Sequence, residues 1–312
     1  MIACVAANPS IDKLFEIYKL EPGVIHRPSA FVQVPGGKGL NVARAAATLG
    51  GDVRAAALLG GHTGAWIDEA LAAEGVKGVF TWTDGETRSS LSVADRQTQG
   101  LTEFYENGAD ISPQAWENLE DGVLELLSGA AWLTLSGSLP PGAPDDGYRR
   151  LIVAARTRGV RAALDARGAA LASAIGAGPD LVKVNASEAA ALIEMRVSSV
   201  DDASAAAREL REMAAGNGRA AIVTIGAEGA VLAEPGGSLV RGQLEAIGPY
   251  PVGSGDAFLG GLVVALDDGG SWNEALALAL GAAAANAEVP GAGRLDRKRA
   301  ESLARSATVG EI

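Results

Sequence analysis

The sequence predicts an α/β fold with a mainly parallel sheet and helices on both faces, plus a small inserted β-sheet lid. Three observations carry this. Short apolar, β-compatible runs alternate with Ala/Leu-rich helical runs for most of the length, the pattern of βαβ units. Two polar regions break that rhythm with period-two alternation and carry no helix of their own. At 312 residues and 48% hydrophobic content, the chain supplies the core of one large α/β domain or two ordinary ones.

In chain order, residues 2–7 read as a short buried strand and 39–49 as a helix. A strand over 53–59 and a helix over 65–74 follow, then a helix over 114–127 and a strand over 131–135. Residues 146–158 are helical, 162–164 and 181–184 extended, 203–215 helical and 220–225 extended. A last apolar run, 257–266, is helix-compatible and begins on a glycine-rich stretch. The interrupting regions are about 13–34 and 86–107; in the second, Ser90 and Ser92 alternate with Leu91 and Val93. They read as pieces of a separate small sheet, a mobile cover or a decorative hairpin.

Charge and composition exclude several classes. The formal net charge is −12 with no Lys/Arg cluster, which argues against a nucleic-acid or anionic-membrane partner, so an anionic substrate needs a few specific cations. A single cysteine, Cys4, rules out an intramolecular disulfide and a cysteine zinc site. With only His26 and His62, histidine-dependent triads and metal clusters are disfavoured. The first strand has no basic leader before it and no apolar run is long enough to span a membrane, so the expected setting is cytoplasmic.

The most informative stretch is Pro251-Val252-Gly253-Ser254-Gly255-Asp256. Glycines before a helix let the first-turn N–H groups converge on an anion. A site that only held phosphate would gain nothing from Asp256, whereas a hydroxyl attacking a phosphoryl group needs a base within reach. Asp256 is thus a candidate general base, although the motif taken alone favours an N-cap. A second glycine-rich helix start, Pro35-Gly36-Gly37-Lys38-Gly39-Leu40-Asn41, adds a point charge and an amide, and is not a Walker A loop.

Five further groups extend the candidate set. Asp12, in Asn8-Pro9-Ser10-Ile11-Asp12, is expected where the first strand's carboxyl end opens into a loop, the edge at which ligands collect. Arg27 and Arg88 border the inserted regions and offer planar forks suited to a phosphate monoester, or are solvated. Ser138 lies in the rigid turn Ser136-Gly137-Ser138-Leu139-Pro140-Pro141-Gly142. Asn185 and Glu188, three apart at a strand-to-helix junction, either orient waters on Mg²⁺ or form a capping box. Thr224, Gly226 and Gly229 end a strand in a loop suited to a nucleotide or to a simple tight turn.

Together and in this order, these motifs resemble the PfkB (ribokinase-like) carbohydrate kinases, within them the branch of 1-phosphofructokinase, tagatose-6-phosphate kinase and the minor 6-phosphofructokinase. The resemblance runs from Asn8 to Asp256 and implies one ribokinase-like kinase domain over 1–312 with lid segments at about 13–34 and 86–107. It implies ATP and Mg²⁺, with Asp256 as catalytic base and Gly253, Ser254 and Gly255 as the anion hole. Asp12, Gly36, Gly37 and Asn41 then hold sugar hydroxyls, while Lys38, Arg27 and Arg88 grip the phosphate already on the sugar, and Ser138 binds substrate from a turn shared by the phosphosugar branch. Asn185 and Glu188 match the Asn-x-x-Glu motif tied to Mg²⁺ through water, and Thr224, Gly226 and Gly229 the ATP loop. Val184 stands where the family carries a proline. The expected reaction is ATP-dependent phosphorylation of a hexose phosphate, fructose 1-phosphate or tagatose or fructose 6-phosphate, to the bisphosphate. A kinase of an unphosphorylated sugar or nucleoside, and a nucleotide-binding regulator without catalysis, are the competing readings. The resemblance also suggests a homodimer through the lid.

Overall fold

In a computed structural model of the chain, described over residues 1–215, 218–245 and 248–312, the main sheet grows outward from its first strand, β1 (Ile2–Ala6). Ile2, Cys4 and Ala6 enter one apolar core and Ala3 and Val5 the other, so β1 is buried on both faces. It pairs in parallel with β4 (Val53–Gly60) on one side and β8 (Trp132–Ser136) on the other.

Between β1 and β4 the chain makes β2 (Ser10–Ile17), β3 (Ala30–Gly36) and α1 (Lys38–Thr48); α2 (Gly61–Ala73) then leads to edge strand β5 (Lys77–Thr83). After β6 (Ser89–Asp95), β7 (Gly100–Tyr105) and α3 (Pro113–Leu127), the chain crosses to the far side of β1 at β8. From there β8, α4 (Gly147–Thr157), β9 (Arg161–Asp165), α5 (Gly168–Ile175), β10 (Leu181–Asn185), α6 (Ala186–Ile193), α7 (Val200–Met213) and β11 (Ala220–Thr224) continue the parallel order. The remainder is β12 (Ala230–Ala233), β13 (Leu239–Gln243), α8 (Ser254–Asp267), α9 (Trp272–Ala287), α10 (Arg297–Ala304) and β14 (Thr308–Glu311). The ten-stranded order is β14-β13-β12-β11-β10-β9-β8-β1-β4-β5, antiparallel only from β11 outward to β14. Chain direction across the sheet reverses between β1 and β8, and open α/β sheets bind ligands in the crevice at such a reversal.

Helices α1, α2, α8, α9 and α10 pack on one face and α3 to α7 on the other. The strands and helices expected from the alternation are present, with ends shifted by a few residues. The largest shift is in α2, which starts at Gly61 rather than at 65. Its first N–H groups are capped from outside the element: Glu86 accepts from the backbone of His62 and Thr63, both at 3.0 Å.

The two interrupting regions do form a second sheet, ordered β3-β2-β6-β7. One expectation is corrected. Asp12 does not stand where a main-sheet strand opens into a loop; β2 begins at Ser10, so Asp12 is on a lid strand, opposite Val34 of β3 and Ser90 of β6. Asn8-Pro9 is a bend between two strands belonging to different sheets.

Buried Arg44 of α1 ties the lid's root to the body. Its guanidinium donates to both Glu74 oxygens at 2.5 and 2.9 Å, to the Pro35 carbonyl at 3.0 Å and to the Ala292 carbonyl at 2.8 Å. Arg44→Met keeps the stem's packing but strands those carbonyls, and should cost about 3 kcal/mol of unfolding free energy in urea titrations.

Candidate active site

Several strand exits and two helix starts meet in a cleft of about 1090 Å³ between the carboxyl edge of the main sheet and the lid. Two of the junctions depend on glycines at positive φ. Gly37, φ 84°, precedes α1, and a Cβ there would come within 2.9 Å of the Pro9 backbone. Gly253, φ 82°, precedes α8, and a Cβ would come within 2.7 Å of Ala292. Both helix starts can therefore press close to neighbouring backbone.

Asp256 lies in the first turn of α8, buried, and lines the cleft. Its side chain caps nothing on its own helix; Oδ2 accepts from Nδ2 of Asn41 at 2.9 Å, across from α1. Asn41 is itself buried, and its Oδ1 has no partner among the described residues. The amide of Ser254 donates to the Pro251 carbonyl at 3.1 Å, and that of Asp256 to Gly253 at 3.1 Å. Among the described residues the amides of Gly253 and Gly255 donate to no protein acceptor, so two of the three expected anion-hole residues offer a free N–H.

The electrostatic centre is a residue the motifs did not single out. Asp165, at the end of β9 and wholly buried, accepts from Lys38 Nζ at 2.8 Å and Lys183 Nζ at 2.7 Å. Lys38 also donates to Glu188 Oε1 at 3.1 Å. Burial alone would push the Asp165 carboxyl upward, but Lys183 and Lys38 hold it below the ordinary carboxylate range. Burial likewise disfavours the charge on Lys38, and Asp165, Asp256 and Glu188 outweigh it, keeping Lys38 protonated. Asp256 takes the opposite course. Burial dominates, Asp165 adds to it, and Lys38, Lys183 and Asn41 offset it only in part, leaving its pKa raised to about 7. Asp256 in the cleft and Asp165 beneath it thus have their affinities for protons driven apart, an arrangement typical of acid–base chemistry.

Asn185 and Glu188 form the capping box of α6: Asn185 Oδ1 accepts from the Glu188 amide and Glu188 Oε2 from the Asn185 amide, both at 2.9 Å. Asn185 still lines the cleft, and Glu188 reaches it through Lys38. Asp12, Gly37, Lys38, Asn41, Arg88, Ser138, Thr224, Gly226, Gly253 and Gly255 line the cleft with Asp256. Gly36 stands just behind, where a Cβ would strike the Asp12 carboxylate. Burial raises the Asp12 pKa, against hydrogen bonds from Ser10 and the Gly37 amide. Ser254 packs away from the cleft toward Asn286, and Gly229 closes a turn where a Cβ would meet the Gly242 carbonyl at 2.0 Å. Arg27 is exposed on the β2–β3 loop and does not line the cleft in this chain. Lys183 was legible only as part of Lys183-Val184-Asn185; a lysine in a buried strand is the signal that points to a buried acid.

A buried carboxyl with a pKa near neutrality, set beside free glycine amides and two lysines at a sheet's carboxyl edge, is the equipment of a phosphoryl-transfer enzyme acting on a hydroxyl. The chain belongs to the pfkB family of carbohydrate kinases, whose sequence model matches residues 5–299. It is 33% identical over 278 residues to ATP-dependent 6-phosphofructokinase isozyme 2 of Escherichia coli, covering 89% of each chain. It is 34% identical over 271 residues to 1-phosphofructokinase of Rhodobacter capsulatus, covering 84% of this chain and 82% of that one. The solved structure of Escherichia coli phosphofructokinase-2 in complex with substrates and products superposes with a TM-score of 0.89 at 30% identity, covering 97% of this chain and 98% of that one. No helix among the described residues is long and apolar enough to cross a membrane.

Lys183→Met leaves the buried Asp165 with one partner and should cost about 3–5 kcal/mol of stability in denaturant unfolding. The raised Asp256 pKa means that folding favours its protonated form, a contribution complete below the ordinary value of 3.8 and lost as pH climbs through about 7. Asp256→Asn should therefore raise Tm by about a few degrees at pH 8, and by much less at pH 5, in calorimetric scans.

Proposed function

We propose that this kinase transfers the γ-phosphoryl group of ATP to a hydroxyl of a hexose phosphate, with Asp256 as general base. The observation that carries the reading is Asp256 itself: a buried carboxyl held by Asn41, close to free glycine amides, with its pKa near 7. The names of the relatives, both phosphofructokinases, support a phosphorylated hexose as acceptor.

In this mechanism Asp12 and Asn41, both lining the cleft, hold sugar hydroxyls and aim one of them at Asp256. Asp256 takes the hydroxyl proton as the oxygen bonds to the γ-phosphorus and the bond to the β-phosphate oxygen breaks, releasing ADP. The Gly253 and Gly255 amides receive the negative oxygens of the migrating group. Lys183 Nζ lies 3.0 Å from where a Gly255 Cβ would be, so its charge sits against that amide cradle. Lys38 spends two of its three donors on Asp165 and Glu188 and keeps one for a phosphoryl oxygen.

Among the described residues no cluster of three or more potential protein ligands could hold a metal ion. The residues fit Mg²⁺ that would arrive on ATP with most of its waters, and Asn185 and Glu188 would hold it through water. When bound, Mg²⁺ neutralises charge on the β- and γ-phosphates. Thr224 and Gly226 would line the nucleotide. The reading also includes a cytoplasmic setting, where ATP and sugar phosphates coexist.

A homodimer through the lid belongs to the same proposal. Phe31 of β3 and Phe104 of β7 are each more than half exposed, giving the lid bare aromatic surface that a second copy would cover. Phe31→Asp with Phe104→Asp should turn a dimer into a monomer in light scattering.

An ADP-release assay over sugars with and without phosphate tests the activity. Asp256→Asn should lower kcat about a hundred- to ten-thousandfold while substrate still binds. For wild type, kcat/KM should rise with pH and level off above about 7, as the base ionises. Equal turnover of unphosphorylated sugars would favour the free-sugar or nucleoside kinase. ATP binding without ADP release on any acceptor would favour the regulator.

A further inference from the structure

Of the cations lining the cleft, Lys38 and Lys183 are committed to Asp165. Two guanidiniums are not: among the described residues, neither Arg88 nor Arg167 has a carboxylate within ion-pair distance, and both line the cleft. In a chain of net charge −12, two unpaired arginines facing one cavity are unusual.

Their placement is specific. Arg88 is fixed by Asn8, its Nε donating to Oδ1 at 3.0 Å and Nη2 to the carbonyl at 3.1 Å, while Nη1 donates to Ser90 Oγ at 3.0 Å. Asn8 in turn donates from Nδ2 to Ser138 Oγ at 3.1 Å. The turn carrying Ser138 is joined to the exit of β9 by the Gly137 amide, which donates to the Asp165 carbonyl at 2.8 Å. Arg167 is two residues beyond that carbonyl, exposed, and its side chain meets no acceptor among the described residues. Arg88, Ser138 and Arg167 therefore sit on one continuous chain of contacts at the mouth of the cleft. Burial lowers the Arg88 pKa and the nearby Arg167 charge works in the same direction, against Asp12 and Tyr105. The two arginines repel, a cost that a dianion between them would reverse.

The lid acids of the same cavity are already engaged. Glu106 Oε2 accepts from the Ser89 amide at 2.7 Å, and Glu103 accepts from Tyr105 and Ser92.

We propose that Arg167 is a specificity-determining residue which, with Arg88 and Ser138, grips the phosphate already carried by the acceptor sugar. This rests on the phosphosugar reading given above, and it assigns that phosphate to the cleft mouth rather than to Lys38, whose ammonium is turned toward Asp165 and Glu188. Arginine suits the task because its planar fork meets two phosphate oxygens at once.

Steady-state kinetics of Arg167→Ala and Arg167→Lys test it. The alanine variant should raise KM for the phosphosugar about ten- to hundredfold, the equivalent of one or two charge-assisted hydrogen bonds. KM for ATP should hold, and lysine, keeping the charge without the fork, should recover part of the loss. Because Arg167 is exposed, the variants should fold, which circular dichroism checks. If wild type turns over phosphosugars but Arg167→Ala leaves their KM unchanged, or raises KM for ATP instead, the assignment of Arg167 is overturned and the kinase reading stands. If wild type turns over no phosphosugar in the panel, the phosphosugar reading fails and this assignment with it.

Discussion

The cleft is organised around one buried carboxylate, Asp165, clamped between Lys38 and Lys183. A lone charge at that depth would be prohibitive, and either lysine alone would still face a large desolvation cost. The three charges settle one another, and in doing so fix the ends of β9 and β10 relative to the start of α1. They also determine what Asp256 can be. With the lysines largely satisfied by Asp165, their pull on Asp256 is too weak to overcome its burial, and its pKa stays near 7. Were Asp165 neutral, both lysines would turn their full field on Asp256 and make it a weaker base.

In the proposed mechanism the two helix starts do different chemistry with similar glycine-rich sequences. At α1 the helix presents side chains, Lys38 and Asn41, and its backbone serves mainly to let them approach β1. At α8 the backbone is the functional surface, since Gly253 and Gly255 keep their amides free while Asp256 stands one residue further on. Asn41 joins the two through Asp256. A base held by a neutral amide keeps its basicity, whereas an ion pair would have lowered it.

Much of this was legible from residue order. Strands buried on both faces are short apolar runs, and the lid announces itself because one side of it stays wet, giving period two. The glycine-flanked Asp256, Lys38 and Asn41 were visible because helix starts that press against backbone demand glycine. What sequence could not give was partnership across distance. Asp165 is a single acid ending an apolar strand, like many strand ends, and its meaning comes from lysines 127 and 18 residues away. Asp12 was misplaced because Asn8-Pro9 looks like a loop, although the chain bends there straight into a lid strand. Arg27 and Arg88 each border an inserted region; Arg88 lines the cleft, and Arg27 is exposed on the β2–β3 loop. Of the two readings of Asn185 and Glu188 the capping box is formed, and it uses one Glu188 oxygen while Lys38 donates to the other.

In the proposed mechanism, hydroxyl recognition is divided between the lid sheet and the body that carries the main sheet. Asp12 rides on β2, paired to β3 and β6, whereas Asn41 belongs to the helix packed on β1. An acceptor touching both spans a seam, so slippage or fraying of the smaller sheet would blunt sugar selection while leaving the phosphoryl-transfer machinery of α8 intact. Over evolutionary time that separation lets new acceptors be tried by editing a few lid residues, without disturbing the carboxylate and lysines beneath.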